Sequence, residues 1–230
     1  MPESRLRWFQ LVSPALPVGA FSYSEGLEVL VQHGLLPDAS AVVDWLSCEL
    51  ERGTLSLEAA CLPLLMADLR RWSGGGATRD DARRAVLERD GWLLAQREAA
   101  EVRAQQRQMG ASLVGLLADI GWPLPEGDGP AALAWPAAWA WAGVCLELEP
   151  VELIEGYLVS WTSAQLSAAV RLVPLGPTQA QRLQLQLTPL LARRAEQLSR
   201  CQPEELCSAG VGAGLAQLRH AELYSRLFRS

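Results

Sequence analysis

The chain has 230 residues, half of them hydrophobic and 20% charged, with nine tryptophans; that is the composition of a chain able to bury a core, not of a disordered segment. Its net charge of −6 and its lack of any lysine argue against a nucleic-acid binder, which needs a basic face, and exclude a P-loop with its phosphate-binding lysine. The start MPESRLRWFQ lacks the apolar stretch of a signal peptide, and no window of about eighteen residues is free of both charge and proline, so a soluble cytoplasmic protein without a membrane span is expected.

The first distinctive stretch is SPALPVGAFSYSEGLE, residues 13–28. Pro14 and Pro17 hold the chain extended, Gly19 permits a turn, and Ser22 with Glu25 fits a capping box for a helix through GLEVLVQH, stopped at Gly34. Asp38 caps ASAVVDWLSCELER, whose Val42, Trp45, Leu46 and Glu49 share one face before Gly53 ends it. A third helix, from about Ser56 to Trp72, is expected to bend at Pro63, and SGGGATRD is a loop. The following run of about forty residues, DARRAVLERDGW to LLADIG, reads as one or two helices with a joint near Asp90 and Gly91.

WPLPEGDGP is a further loop, and WPAAWAWAGVCLEL is short and apolar enough to be a buried helix. Pro150 opens a helix in which Leu153, Tyr157, Trp161 and Ala164 recur at helical spacing. Thr178 with Gln181 suggests a second capping box, ahead of a helix bent at Pro189. The last helix covers about Leu215 to Leu227. Runs of alternating β-branched residues with hairpin turns are missing, as is any fixed repeat. The expectation is an all-α fold: a single compact multi-helix domain over residues 1–230 with mobile N- and C-terminal segments.

Chemistry-bearing patterns are sparse. Cys48, Cys61, Cys145, Cys201 and Cys207 are odd in number and scattered, which suits reduced thiols. Cys201 and Cys207 with His220 would hold a soft metal such as Ni²⁺ or Zn²⁺ only if folding brought them together. Buried carboxylates such as Glu49 or Glu98 lack a second catalytic group at a defined spacing. From Gln108 to Val170 there is no arginine, whereas Arg171–Ser230 carries eight arginines against four glutamates; an acidic middle before a basic end suggests complementary contacts, within the chain or with partners. Two stretches suit either packing or recognition. One is the rigid opening segment with its Phe21–Tyr23 pair; the other is the end RHAELYSRLFRS, rich in the tyrosine and arginine that dominate interface hot spots.

These stretches carry a resemblance. LVSPALPVGAFSYSEGLE, RQMGASLVGLL, YLVSWTSAQLSAAVRLVPLG with the following QRL, and HAELYSRLFRS resemble, in this order, the signatures of the UreF family of urease accessory proteins, over nearly the whole chain. The resemblance implies an all-helical protein with no catalytic activity and no cofactor. It implies a homodimer that joins the accessory protein UreD (UreH in some species), recruits the GTPase UreG and acts on apo-urease during nickel insertion. Its partner-binding candidates are Pro17, Gly19, Phe21, Ser22 and Tyr23 in the opening segment, and Tyr224, Arg226, Leu227, Phe228 and Arg229 in the end segment, which resembles the part associated with UreD contact. The alternative is a nickel-binding metallochaperone using Cys201, Cys207 and His220.

Overall fold

Local punctuation decides the first helices. The computed structural model of the chain describes residues 2–126 and 132–230, with side chains from Leu6 onward. Helix α1 (Pro2–Leu11) leads, through the proline-rich segment and a 3₁₀ turn at Ala20–Ser22, to α2 (Leu27–Gln32). Gly34, at φ +70°, ends α2 as expected, with the Leu35 amide donating back to the Leu30 carbonyl at 2.9 Å, the six-to-one bond of a Schellman stop. Helix α3 (Ala39–Arg52) starts where Asp38 Oδ1 accepts the Ala41 amide at 3.0 Å and ends at Gly53.

The centre is built from two apolar helices. In α4 (Thr54–Gly74) nearly every side chain from Leu55 to Leu62 is buried, and α7 (Trp135–Cys145) is buried throughout from Trp135 to Gly143, so the tryptophan-alanine stretch is the core helix expected of it. Around this pair stand α5 (Arg79–Ala95), α6 (Ala100–Asp119), α8 (Pro150–Leu172) and α9 (Pro177–Leu198), with α10 (Val211–His220) laid across α2 and α6. α6 approaches the segment before α7 so closely that a Cβ at Gly110 would collide with the Leu133 carbonyl. Trp139 is fully buried, sends its indole N–H to the Leu153 carbonyl at 3.1 Å, and meets Tyr157 edge-on at 5.8 Å.

The all-α expectation holds: the described residues contain helices and turns around one core and no strand. No helix among them is long and apolar enough to cross a membrane. The loop read in WPLPEGDGP is free of helix up to Glu126; its residues 127–130 lie outside the described ones.

Four boundaries differ from expectation. Ser22 and Glu25 form no capping box, since Gly26 is the N-cap of α2 and the Glu25 carboxylate is engaged elsewhere. Thr178 lies inside α9, which Pro177 opens at its first position. α5 runs through Asp90 and Gly91, because Asp90 reaches out of it to accept the Ala134 amide at 3.0 Å; the joint falls at 96–99, where Arg97 turns inward. α10 starts at Val211 and stops at His220, well short of Leu227. Pro63 and Pro189 sit inside their helices without ending them.

Among the described residues, arginines of the basic end bond within the chain, but not to the acidic middle. Arg194 of α9 donates to the carbonyls of Leu50 at 3.0 Å and Glu51 at 3.3 Å, satisfying the end of α3. Arg193 pairs with Glu51, and Arg226 with Glu101.

Candidate functional site

The two stretches that stood out in the sequence, far apart along the chain, meet in the fold. The opening segment turns at Ser13–Leu16, reverses at Gly19 (φ +76°) and reaches Glu25 and Gly26 in the left-handed region, at φ +51° and +88°. Gly26 is required by contact as well as by conformation: a Cβ there would lie 2.9 Å from the Gln217 amide and 3.0 Å from Ala216 of α10. Glu25 has no such freedom, and left-handed backbone at a side-chain-bearing residue costs about 1–2 kcal/mol. Its carboxylate is tied down in compensation, accepting Gln105 Nε2 at 2.7 Å and the Trp161 indole N–H at 3.1 Å.

The end of the chain lies on this segment. Glu28 of α2 accepts the Leu227 amide at 2.7 Å and the Phe228 amide at 3.1 Å, so one buried carboxylate caps two backbone donors of the tail. His220 is fully buried between carboxylates, Nδ1 at 2.8 Å from Glu101 and Nε2 at 3.4 Å from Glu28. Arg226 donates to the other oxygen of Glu101 at 2.6 Å.

Backbone bonds run both ways beyond this point, Arg229 N to the Ser22 carbonyl at 2.9 Å and Ser24 N to the Ser230 carbonyl at 2.8 Å. Ser230 Oγ donates to Gln105 Oε1 at 2.6 Å, so the Gln105 amide bridges the tail and Glu25. Phe228 is buried under the Arg171 guanidinium, 4.5 Å from its ring centroid. Residues 227–230 are thus tied to the opening segment and α6 by hydrogen bonds.

Beneath this junction lies a second buried cluster. Glu58 of α4 accepts from Arg97 Nε at 2.7 Å and Nη2 at 2.6 Å and, on its other oxygen, from the Tyr157 hydroxyl at 2.8 Å. Burial opposes the charge of Arg97, but the carboxylates of Glu58 and Glu25 outweigh it and hold the guanidinium above its usual range. Burial, with the Glu58 charge, raises the Tyr157 phenol well above its ordinary value, so the hydroxyl stays a donor. At the edge of the cluster burial lifts Glu49 to about 7, with Arg97 opposing and Glu25 adding to the rise.

The sequence-chosen residues divide sharply. Pro17, Phe21, Tyr224, Leu227 and Arg229 are exposed, Phe21 by 73% and Tyr224 completely. Gly19 and Ser22 are half-buried, while Tyr23 and Phe228 are interior. Arg226 is exposed along its length yet ends on Glu101. Cys201, Cys207 and His220 do not converge. Cys207 is exposed, Cys201 is half-buried, and both ring nitrogens of His220 already face glutamates on opposite sides of the ring. No group of three metal-ligating side chains suited to an ion exists among the described residues, so the metallochaperone reading loses its site.

Glu98, expected to be buried, is exposed. The interior carboxylates among the described residues are Glu25, Glu28, Glu58, Asp68 and Asp90; the sequence reading named Glu25 only as a capping residue and Asp90 only at a joint, and it passed over the rest. One signal was available: Glu58 is a lone charge in the apolar run LSLEAACLPLLM, and a charge on a buried face needs a partner.

Comparison with known proteins agrees with the signature stretches. A family model described as UreF matches residues 36–188. The chain is 33% identical over 231 residues to the urease accessory protein UreF of Prochlorococcus marinus (strain MIT 9312), covering 100% of both. It is 38% identical over 232 residues to the protein of that name from Ralstonia pickettii (strain 12J), covering 96% of this chain and 95% of the relative. With the one from Thermosynechococcus vestitus it shares 38% over 228 residues, covering 98% and 97%.

Proposed function

The chain belongs to the urease accessory protein UreF family, and from that premise we propose that it is a non-catalytic assembly factor in urease maturation. It joins UreD (UreH), recruits the GTPase UreG, and presents both to apo-urease, into which nickel is delivered as cargo. It works in the cytoplasm as a homodimer, and its recognition surface is carried by the opening segment and the tail.

One observation supports this reading above the rest. The tail is fastened through its backbone amides and through Phe228, which leaves Tyr224, Leu227 and Arg229 facing outward from a fixed base, with Phe21 close by. Side chains carried on a backbone that is already anchored cost less ordering entropy on binding than those on a loose segment, which favours them as contact residues.

Co-purification with tagged UreD from cells expressing both proteins tests the proposal, with urease activation scored in the same cells. Tyr224→Ala removes a side chain that is wholly exposed, so its effect on folding is small, whereas a central contact residue costs about 2 kcal/mol or more of affinity. Loss of UreD retention together with activation is the expected result. Full retention and activation by both Tyr224→Ala and Phe21→Ala would remove the assigned surface, and normal activation in cells lacking the protein would remove the function.

A further inference from the structure

A cavity of about 50 Å³ lies between α4, α6 and α8, behind Glu25 and Trp161. Three buried oxygens on its wall, Gln106 Oε1, Ser160 Oγ and Gln165 Oε1, have no hydrogen-bond partner among the described residues, although Gln106 and Gln165 are only 3% and 2% exposed. The Glu25 and Glu58 carboxylates also line it. The donors nearest to them are committed: the Trp161 indole and Gln105 amide to Glu25, the Tyr157 hydroxyl to Glu58.

Buried acceptors without partners are rare in folded proteins, and where a cavity is polar and large enough, water supplies the missing bond. We propose that this cavity is a built binding site for ordered water, which donates to Gln106, Ser160 and Gln165 and joins them to the carboxylates. The volume is well above the roughly 10–15 Å³ that one water needs, and matches one or two molecules at the roughly 30 Å³ each takes up in the liquid.

The guest is identified by what the wall lacks. An anion would meet two carboxylates, and an apolar molecule would leave the three oxygens unsatisfied. A bare cation would need every oxygen turned inward, beside a cluster whose positive charge Arg97 already supplies. Water both donates and accepts, so it serves the two amides in either orientation. Through the Glu25–Gln105–Ser230 bonds the hydrated site also braces the base on which the tail sits.

A crystal structure of the whole chain at a resolution that orders solvent tests this directly. The expected result is solvent density about 2.7–3.2 Å from the Gln106 and Gln165 amides. An empty cavity, or a peak that gains anomalous signal when crystals are grown in rubidium instead of sodium, overturns the proposal. The sign of a stability change gives an independent check. If water completes these bonds, Gln165→Leu lowers the unfolding temperature by about 2–4 °C, whereas removing a truly orphaned oxygen raises it. A raised temperature in both Gln165→Leu and Gln106→Leu would sink the idea.

Discussion

The α4–α7 centre and the junction of the opening segment with the tail are both buried, yet they are held together in different ways. At the centre, Leu62, Leu65, Leu69, Ala137, Trp139 and Ala140 are covered by apolar neighbours, and stability scales with the area removed from water. At the junction, Glu25, Glu28, Gln105 and His220 are equally enclosed, but each is fixed by hydrogen bonds of definite direction. The first kind of interior tolerates a change of shape at constant volume; the second does not tolerate a change of atom type at constant shape. The tolerant interior therefore secures the fold, while the exacting one sets the position of the surface segments that carry the proposed contacts.

The largest effect that would test this contrast is expected at Arg97. Arg97→Ala leaves the Glu58 carboxylate buried with only Tyr157 as a donor, and breaking such a pair costs about 3–5 kcal/mol, enough to unfold a marginal domain. Arg97→Lys keeps the charge but not the paired N–H geometry and should still cost more than Leu62→Met in the apolar centre, for which less than about 1.5 kcal/mol is expected. Urea unfolding of the three variants decides it. Equal losses for Arg97→Lys and Leu62→Met would erase the distinction between the two interiors.

Next in size is Gly26→Ala. A methyl group there meets the backbone of α10 and adds left-handed strain, together roughly 2–4 kcal/mol. Glu28→Gln follows, at about 2 kcal/mol, since an amide presents one acceptor where the carboxylate presents two to Leu227 and Phe228. Its consequence is local. Amide hydrogen exchange at residues 227 and 228 should speed up while protection in α4 and α7 stays unchanged. If exchange rises throughout the molecule instead, the junction and the centre are one cooperative unit and the contrast fails.

How much of this was legible in the sequence follows the same division. Asp38, Gly34 and Gly53 act on their immediate neighbours, and the helices they bound were read correctly; the buried α7 was evident from composition alone. Ser22 with Glu25 had the right spacing for a capping box, but Glu25 is claimed by Gln105 and Trp161, which lie 80 and 136 residues further on. The joint expected at Asp90 moved to Arg97 for the same reason, a bond to Glu58 across 39 residues. Likewise, the two stretches singled out in the sequence gave no sign that they are neighbours, because only the folded chain brings Glu28 to the amides of Leu227 and Phe228. Periodicity reports which face is apolar; it carries no information about which distant group answers a buried charge.

The smallest expected effect concerns Glu49, at the rim where the two interiors meet, and it differs from the others in depending on pH. Burial first, and the negative charge of Glu25 after it, raise this carboxyl from 4.5 to about 7 against the pull of Arg97, so the folded state keeps a proton that the unfolded state releases. A carboxyl raised in this way contributes its full share of stability below about pH 4.5 and loses it as the pH climbs through about 7. Glu49→Gln mimics the protonated form and cannot ionise. The variant should match the parent at pH 4.5 and exceed it by about 1 kcal/mol at pH 8, after allowance for the partial exposure of the side chain. Asp90, raised by burial to about 6 against its bond from Ala134, adds a fall of the same sign in both proteins, so the variant's stability still declines with pH, only less steeply. Urea unfolding at the two pH values separates the terms. A gain of equal size at both would mean that the amide improves packing and that the Glu49 charge is already well accommodated, which would move the rim from the exacting kind of interior to the tolerant one.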